Sequence, residues 1–157
     1  MKFMNWIAVI SFHIFLTTFV PSGNAKSYFQ NNNMNGIELT ISNIKNKEGL
    51  IRIGIFSSEY GYPDKPKYSF SLAKDTMVSG KLILFIPLIK SGSFSISVLD
   101  DENENGKMDY LFGIIPEEGF GFSNNPKVTT RKAPSFERTL FKFDKGKMQI
   151  NVRMVYI

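Results

Sequence analysis

Apolar and polar residues alternate along several stretches of the chain. Ile37, Leu39 and Ile41 are separated by polar residues, and residues 51–55 carry isoleucine at every second position. A period of two places successive side chains on opposite faces of a strand, so each stretch predicts a strand with one buried face. The same pattern occurs over residues 93–98 and 148–156, and further strands are predicted at 77–86 and 138–143.

Turn-forming sequences separate these strands, at residues 46–49, 90–92 and 144–146. The chain shows no convincing helical period, so little helix is expected. About seven antiparallel strands with such turns predict a single β-sandwich of the immunoglobulin-like or transthyretin-like kind. Two longer connections, 57–75 and 100–137, interrupt it. The second is rich in aromatic residues and glycine, which predicts a long ordered loop.

The N-terminal segment has the order of a secretory signal. Lys2 precedes an apolar stretch over residues 6–20, and small and turn-forming residues follow over 21–25. This order predicts a signal peptide, residues 1–25, cleaved after Ala25. The alternative is a retained membrane anchor, which is disfavoured because the apolar stretch falls short of the roughly 20 residues that span a bilayer.

Beyond the predicted cleavage site, residues 26–35 are polar and rich in asparagine, which predicts a flexible leader. Residues 36–157 have the length of one domain. Their longest apolar run, 82–89, is broken by Pro87, so no transmembrane segment is expected after signal cleavage. The chain contains no cysteine, so its stability must come from packing and from any bound metal ion. These features together predict a periplasmic or secreted protein.

The charge distribution argues against nucleic-acid binding. The formal net charge is +5 and falls to +4 when residues 1–25, whose only charged residue is Lys2, are removed. The basic residues are scattered over many short segments, whereas a nucleic-acid footprint requires a stripe or patch. Weak attraction to acidic envelope polymers is the most that this charge predicts.

Residues 100–109 read DDENENGKMD and place oxygen-bearing side chains at every second position. This spacing matches the first half of a calcium loop, in which alternate side chains surround the ion and a glycine permits a sharp turn. The next residue then offers its backbone carbonyl. Positions one, three, five, six, seven and nine of the loop are filled by Asp101, Asn103, Asn105, Gly106, Lys107 and Asp109.

The second half of the calcium loop is missing. Phe112 stands at position twelve, where a bidentate glutamate is expected, and the flanks do not form helices, so the helix-loop-helix form is excluded. A carboxylate from elsewhere must complete the shell. The nearest candidates are Glu117, Glu118 and Asp100, of which we assign Glu118. The alternatives are a polar turn without an ion and a magnesium site, which would use fewer protein ligands.

The only histidine, His13, lies in the predicted signal peptide. Zinc sites of the Cys/His type and triads with a histidine base are therefore excluded from the mature chain. We predict a binding or structural module rather than an enzyme and assign no catalytic residue. Structural calcium would rigidify the long loop and create a surface for an envelope protein or a glycan. The alternative is a metal-assisted hydrolase with Glu117 or Glu118 as its base.

Aromatic residues concentrate in the two long connections. Phe120 and Phe122 follow the calcium-like loop, and Tyr60 and Tyr62 lie in the earlier connection. Such residues either cover the core or form a ligand surface, and covering is favoured for both pairs. The glycines that alternate with the two phenylalanines do not make a phosphate-binding fingerprint, because a third glycine and a following helix are missing.

The run from residue 100 to 125, followed by residues 133–143, resembles the uncharacterised bacterial family known as domain of unknown function 2141. The resemblance is sharp over 95–143 and looser over 36–94. It implies an exported, all-β envelope domain and brings no reaction or substrate with it. Two departures are Asp100, where members often have histidine, and Ile115, which lengthens a glycine-isoleucine-proline step. The matching residues are Asp101, Asn103, Asn105, Gly106, Lys107, Asp109, Gly113, Pro116, Glu118, Gly119, Gly121, Phe122, Ser123, Asn124, Asn125, Pro134, Ser135 and Phe136.

Overall fold

The structure is a computed structural model that describes residues 35–88, 90–128 and 132–157. The predicted signal peptide, and all of the predicted leader except Asn35, lie outside the described residues. No helix in the described part of the chain is long and apolar enough to cross a membrane.

The described residues form ten strands and one short helix. The strands are β1 (Gly36–Ser42), β2 (Leu50–Phe56), β3 (Tyr68–Ala73), β4 (Leu82–Pro87), β5 (Gly92–Asp101), β6 (Tyr110–Leu111), β7 (Ile115–Pro116), β8 (Gly119–Phe122), β9 (Phe141–Phe143) and β10 (Lys147–Arg153), and the helix is α1 (Phe136–Thr139).

These strands make three sheets. One has the order β10-β1-β4, and the larger one has the order β3-β2-β5-β8, with β9 paired to the start of β5. The third is the small hairpin of β6 and β7. A backbone bridge between Phe120 and Val155 joins β8 to the chain just after β10. This bridge ties the edge of the larger sheet to the C-terminal segment.

The mostly β class is confirmed, but two finer predictions are not. The described residues contain ten strands in three sheets, so a single sandwich of about seven strands is not confirmed. The extra strands are β3 and the short elements β6 to β8, which lie in connections that the sequence predicted as long loops. A wholly antiparallel arrangement is wrong, because β1 pairs with β10 in parallel while it pairs with β4 in antiparallel.

The alternation of the sequence explains the core. Ile37, Leu39 and Ile41 of β1 are fully buried, and the core cluster also takes the isoleucines of β2, Ile96 and Val98 of β5, and residues of β4 and β10. Both larger sheets therefore contribute one apolar face to the same cluster. Removing such faces from water is the main stabilising term, at about 25 cal/mol per Å².

Two predicted strands begin later than expected. In the segment 77–86, Ser79 and Gly80 adopt positive φ angles and form a tight turn closed by two hydrogen bonds, so the strand begins at Leu82. In the segment 138–143, the chain first makes helix α1, whose Thr139 hydroxyl donates to the carbonyl oxygen of Phe136 at 2.7 Å. Only residues 141–143 remain as a strand.

The tip of the β6–β7 hairpin holds an aromatic residue in a strained conformation. Phe112 has a φ of 51° and is 86% exposed, and Gly113 follows with a φ of 72°. Positive φ is unfavourable for a bulky side chain, whereas asparagine adopts it readily.

We expect Phe112→Asn to raise the free energy of unfolding by about 0.5–1 kcal/mol. The measurement is urea unfolding followed by circular dichroism. Phe112→Ala is the matched control, since it removes the same exposed ring but keeps a residue that disfavours positive φ. If the asparagine variant proves no more stable than the alanine variant, backbone strain at this tip is not the cause.

Candidate metal centre

The buried carboxylate of Asp101 organises the loop that follows β5. Its Oδ2 accepts hydrogen bonds from Arg52 Nε and, at 3.0 Å, from the Gly106 amide, while its Oδ1 accepts one from the Asn105 amide at 3.1 Å. Gly106 has a φ of 83°, which lets the chain turn back toward Asp101. Residues 101–106 therefore curl around a single carboxylate.

The two asparagines continue this curl. The Oδ1 atom of Asn103 accepts from the Asn105 amide, and that of Asn105 accepts from the Lys107 amide, both at 3.0 Å. Their side-chain amides both donate to Oδ2 of Asp109, at 2.7 and 2.5 Å. These hydrogen bonds, from Asn103 foremost, lower the pKa of Asp109 below its ordinary value. Asp109 is thus drawn to the same side of the loop as the asparagines.

Glu118, which lies outside the loop in sequence, binds it through its carboxylate. Strands β5 and β8 pair so that Asp100 is opposite Gly119, which brings the residue before Gly119 next to Asp101. The side chain of Glu118 is buried, and its two oxygens accept from the amides of Glu102 at 3.1 Å and Asp109 at 3.4 Å. One carboxylate therefore contacts both ends of the loop.

The environment of Glu118 concentrates negative charge. Burial raises the pKa of Glu118 above its ordinary value of 4.5, and the charges of Asp101 and Asp109 raise it further. The two amide hydrogen bonds oppose this rise. A cation placed among the three carboxylates would relieve their repulsion.

Among the described residues, the carboxylates of the other two candidates for the missing ligand make no hydrogen bond or ion pair with the loop. Successive residues of a strand point to opposite faces, and Asp100 forms a fully buried ion pair with Lys74 on the face opposite Asp101. Oδ2 of Asp100 also accepts from the Tyr156 hydroxyl at 2.5 Å. Burial first, and this hydrogen bond second, raise the pKa of Tyr156. Glu117 is exposed, and its amide donates to the carbonyl oxygen of Asp109 at 3.0 Å.

The loop offers the carboxylate and amide oxygens that calcium requires, although these oxygens do not converge on one point. No group of three or more carboxylate, histidine or cysteine side chains in the described part of the chain has the geometry of a ready metal site. The oxygens nevertheless suffice in number, since calcium takes six to eight. Within the described residues, several of these oxygens accept only one hydrogen bond each: Oδ1 of Asp101, both oxygens of Glu118, and Oδ1 of Asn103 and Asn105.

The three residues after β8 hold that strand to the rest of the domain, a role that the sequence did not reveal. The buried Ser123 hydroxyl accepts from the Ile96 amide at 2.9 Å and donates to the Thr139 carbonyl at 2.6 Å. Asn124 donates to the Leu140 carbonyl at 2.7 Å, and Asn125 donates to the Asn151 carbonyl at 2.8 Å. The serine and asparagine side chains thus fasten β8 to three other segments.

The two glycines of β8 have a packing role. A Cβ atom on Gly119 would lie 2.3 Å from the Tyr156 ring, and one on Gly121 would lie 2.6 Å from a methyl group of Val152. Strand β8 can therefore approach the C-terminal segment only without side chains at these positions.

A cleft of about 560 Å³ lies beside the loop. Of the four aromatic residues proposed above as a ligand surface, two line it. Phe120 and Phe122 are buried and line the cleft. Tyr62 stands behind them, with its ring centroid 6.0 Å from that of Phe122 and 5.1 Å from that of Phe56. Tyr60 is 92% exposed and does not line the cleft. The structure therefore brings three of the four aromatic residues together.

The comparisons with known proteins give a family and nothing finer. A family model described as "Uncharacterized protein conserved in bacteria (DUF2141)" matches residues 39–151. No curated protein and no solved structure matches the chain. The match covers most of the sequence, including the loop, Glu118 and the serine-asparagine-asparagine segment. The chain therefore belongs to this uncharacterised bacterial family, as its composite motif predicted.

Proposed function

We propose that the protein is an exported module of the bacterial envelope whose loop 101–109 binds one calcium ion, with Glu118 completing the shell. The observation that carries this proposal is the position of Glu118. Its carboxylate comes from outside the loop and contacts the amides of Glu102 and Asp109. This contact supports Glu118 as the substitute for the glutamate at position twelve of a complete calcium loop.

The donor set favours calcium over magnesium. Asp101, Asn103, Asn105, the carbonyl of Lys107, Asp109 and a bidentate Glu118 would give seven oxygens, within the range of calcium. Magnesium demands six ligands in strict octahedral geometry and keeps several waters. Calcium binding would require the asparagine amides to release Asp109 and the three carboxylates to converge. Asn103 and Asn105 are exposed and Asp109 is partly exposed, so the movement of these three side chains costs little packing.

A structural role for the ion is favoured over hydrolysis. The cleft is lined by Gly106, Lys107 and Met108 of the loop, but in the described part of the chain Asp101, Asp109 and Glu118 do not line it. A hydrolase would need its ion and its general base to face the substrate. Calcium held behind the loop backbone would instead fix the wall of the cleft.

The export and envelope parts of the proposal rest on sequence. The order of Lys2, an apolar stretch and small residues supports a signal peptide, and the absence of cysteine is compatible with an oxidising compartment. One core shared by the two larger sheets supports a sandwich as the underlying architecture. On this basis the domain presents a rigid surface to an envelope protein or glycan.

We expect Glu118→Gln to change stability with opposite signs in the two metal states. Without calcium, burial disfavours the charged form of Glu118 in the folded protein and so raises its pKa. The protonated form of Glu118 therefore stabilises the folded protein, and this contribution is lost as the pH rises from 4.5 through the folded pKa. The variant should be more stable than wild type at neutral pH in EGTA, and this difference should vanish in acid.

With calcium the order should reverse. At a Kd of about 10⁻⁴–10⁻³ M, 10 mM calcium stabilises the wild type by about 1.4–2.7 kcal/mol. Glu118→Gln should lose most of this gain, whereas Glu117→Gln, an exposed neighbour with the same charge change, should keep it. Thermal unfolding in EGTA and in calcium measures both effects. Equal calcium stabilisation of the two variants would refute the role of Glu118.

A further inference from the structure

We propose that the cleft beside the loop binds an amphipathic organic anion, meaning an apolar ring or chain that carries one carboxylate, sulfonate or phosphate. The cleft volume of about 560 Å³ falls in the range of small-molecule sites, roughly 300–1,000 Å³. This inference does not depend on the proposed calcium ion. It depends on the floor, the walls and the charge of the cleft.

The floor is the face of the larger sheet that points away from the core. Strand register sets two rows of side chains across β3, β2, β5 and β8, because residues paired across strands share a face. One row is Ser69, Gly54, Ser97 and Phe122, and the other is Ser71, Arg52, Leu99 and Phe120. All eight of these residues line the cleft.

The heights of these side chains explain why a hollow forms. Serine or glycine occupies four of the six floor positions that β3, β2 and β5 contribute, so the floor is low there and offers hydroxyl groups. A Cβ atom on Gly54 would lie 2.9 Å from Ser97 Oγ and 3.0 Å from Pro66, so even a methyl group would crowd the floor there. At the β8 end, Phe120 and Phe122 rise as an apolar wall.

Two connections form the other walls and are largely apolar. Pro63 and Pro66 line one side, and Met108 and Tyr110 line another. Proline, methionine and aromatic surfaces suit a flat or ring-shaped apolar body better than an ion alone. The ligand therefore needs an apolar part as well as a charge.

The charges at the cleft are mainly positive. Its lining includes Arg52, Lys107 and Lys132, against one exposed carboxylate, Asp64. Arg52 is held in place through Nε by Asp101 and through Nη1 by Ser71 Oγ, which leaves the N–H groups of Nη2 for a ligand. Lys107 Nζ lies 3.8 Å from Asp109, and Lys132 has no ion pair within the described ranges. This excess of positive over negative side chains in the lining favours an anionic ligand.

The probe for this proposal is 8-anilinonaphthalene-1-sulfonate, and its neutral comparison is N-phenyl-1-naphthylamine, which shares the ring system. We expect one sulfonate probe per chain, with enhanced fluorescence, and weaker binding of the neutral probe. The double variant K107Q/K132Q should weaken sulfonate binding at least fivefold and leave the neutral probe unchanged. The double variant K81Q/K142Q, which removes two exposed lysines outside the cleft lining, should change neither.

A second pair of variants tests the location. Ser69→Phe places a ring over the floor from the exposed edge strand β3 and should weaken sulfonate binding more than tenfold, while Ser93→Phe, an exposed serine of β5 outside the lining, should not. Circular dichroism confirms that each variant is folded. Equal binding by these two variants, loss of binding in Phe112→Asn instead, or no preference for the anionic probe would overturn the proposal.

The same titrations distinguish the cleft proposal from the calcium proposal. All titrations are run in EGTA and again in calcium. Site-specific anion binding in EGTA supports the cleft proposal even if calcium has no effect on the protein. Calcium-dependent stabilisation without site-specific probe binding would support the metal site and refute the cleft.

Discussion

Replacing Lys74 with methionine is expected to lower the free energy of unfolding by about 3–5 kcal/mol. The side chains of Lys74 and Asp100 are both fully buried and form an ion pair. Removal of the lysine leaves the Asp100 charge inside the protein, where the Tyr156 hydroxyl still donates a hydrogen bond to it. An uncompensated buried charge is among the most costly defects in a folded protein.

The double variant K74M/D100N should recover most of that loss. Asparagine keeps an oxygen for the Tyr156 hydroxyl and removes the charge, so neither partner is left ionised without the other. Lys81→Met, at an exposed position, is the matched control and should change stability by less than about 0.5 kcal/mol. Urea unfolding measures all three. A Lys74→Met protein as stable as the Lys81→Met protein would show that the buried pair carries no stability.

Asp101→Asn is expected to lower the free energy of unfolding by about 2–3 kcal/mol, even without calcium. The Asp101 carboxylate accepts hydrogen bonds from Arg52 and from the amides of Asn105 and Gly106. An asparagine has the same shape, but its NH₂ group must face one of these donors. The variant should also lose calcium stabilisation, because position one of the loop would lose its charge.

Glu104→Gln is the control for this effect. Glu104 belongs to the same loop and is exposed, and its side chain is not a proposed ligand. Its replacement removes one negative charge from the loop and should leave both stability and calcium stabilisation within about 0.5 kcal/mol of wild type. If the two variants behave alike, Asp101 does not organise the loop.

The sequence predicted the parts of the structure that depend on local pattern. Alternation identified β1, β2, β5 and β10, whose apolar residues point to one shared core. It missed β3, because Tyr68–Ala73 is an edge strand whose side chains are mostly exposed, so its apolar residues mark no buried face. It also missed β8, where glycine replaces the inward-facing apolar residues.

The sequence predicted the candidate ligands within the loop but could not show which residues from elsewhere lie next to it. The spacing of Asp101, Asn103 and Asn105 is visible in the chain, and so is the lack of a ligand at position twelve. The choice of Glu118 over Glu117 as a neighbour of Asp101 follows from the register of β5 and β8, which is a long-range feature. No local pattern reveals that Lys74 is buried and withdraws Asp100 from the loop.

The central claim is that calcium binds at the loop and at Glu118, and isothermal titration of calcium into the purified, EGTA-treated protein tests it most directly. We predict heat from one site per chain, with a Kd of about 10⁻⁴–10⁻³ M, lost in Asp101→Asn and Glu118→Gln and retained in Glu117→Gln. No calcium heat in the wild type, or the same heat in all four proteins, would contradict the account.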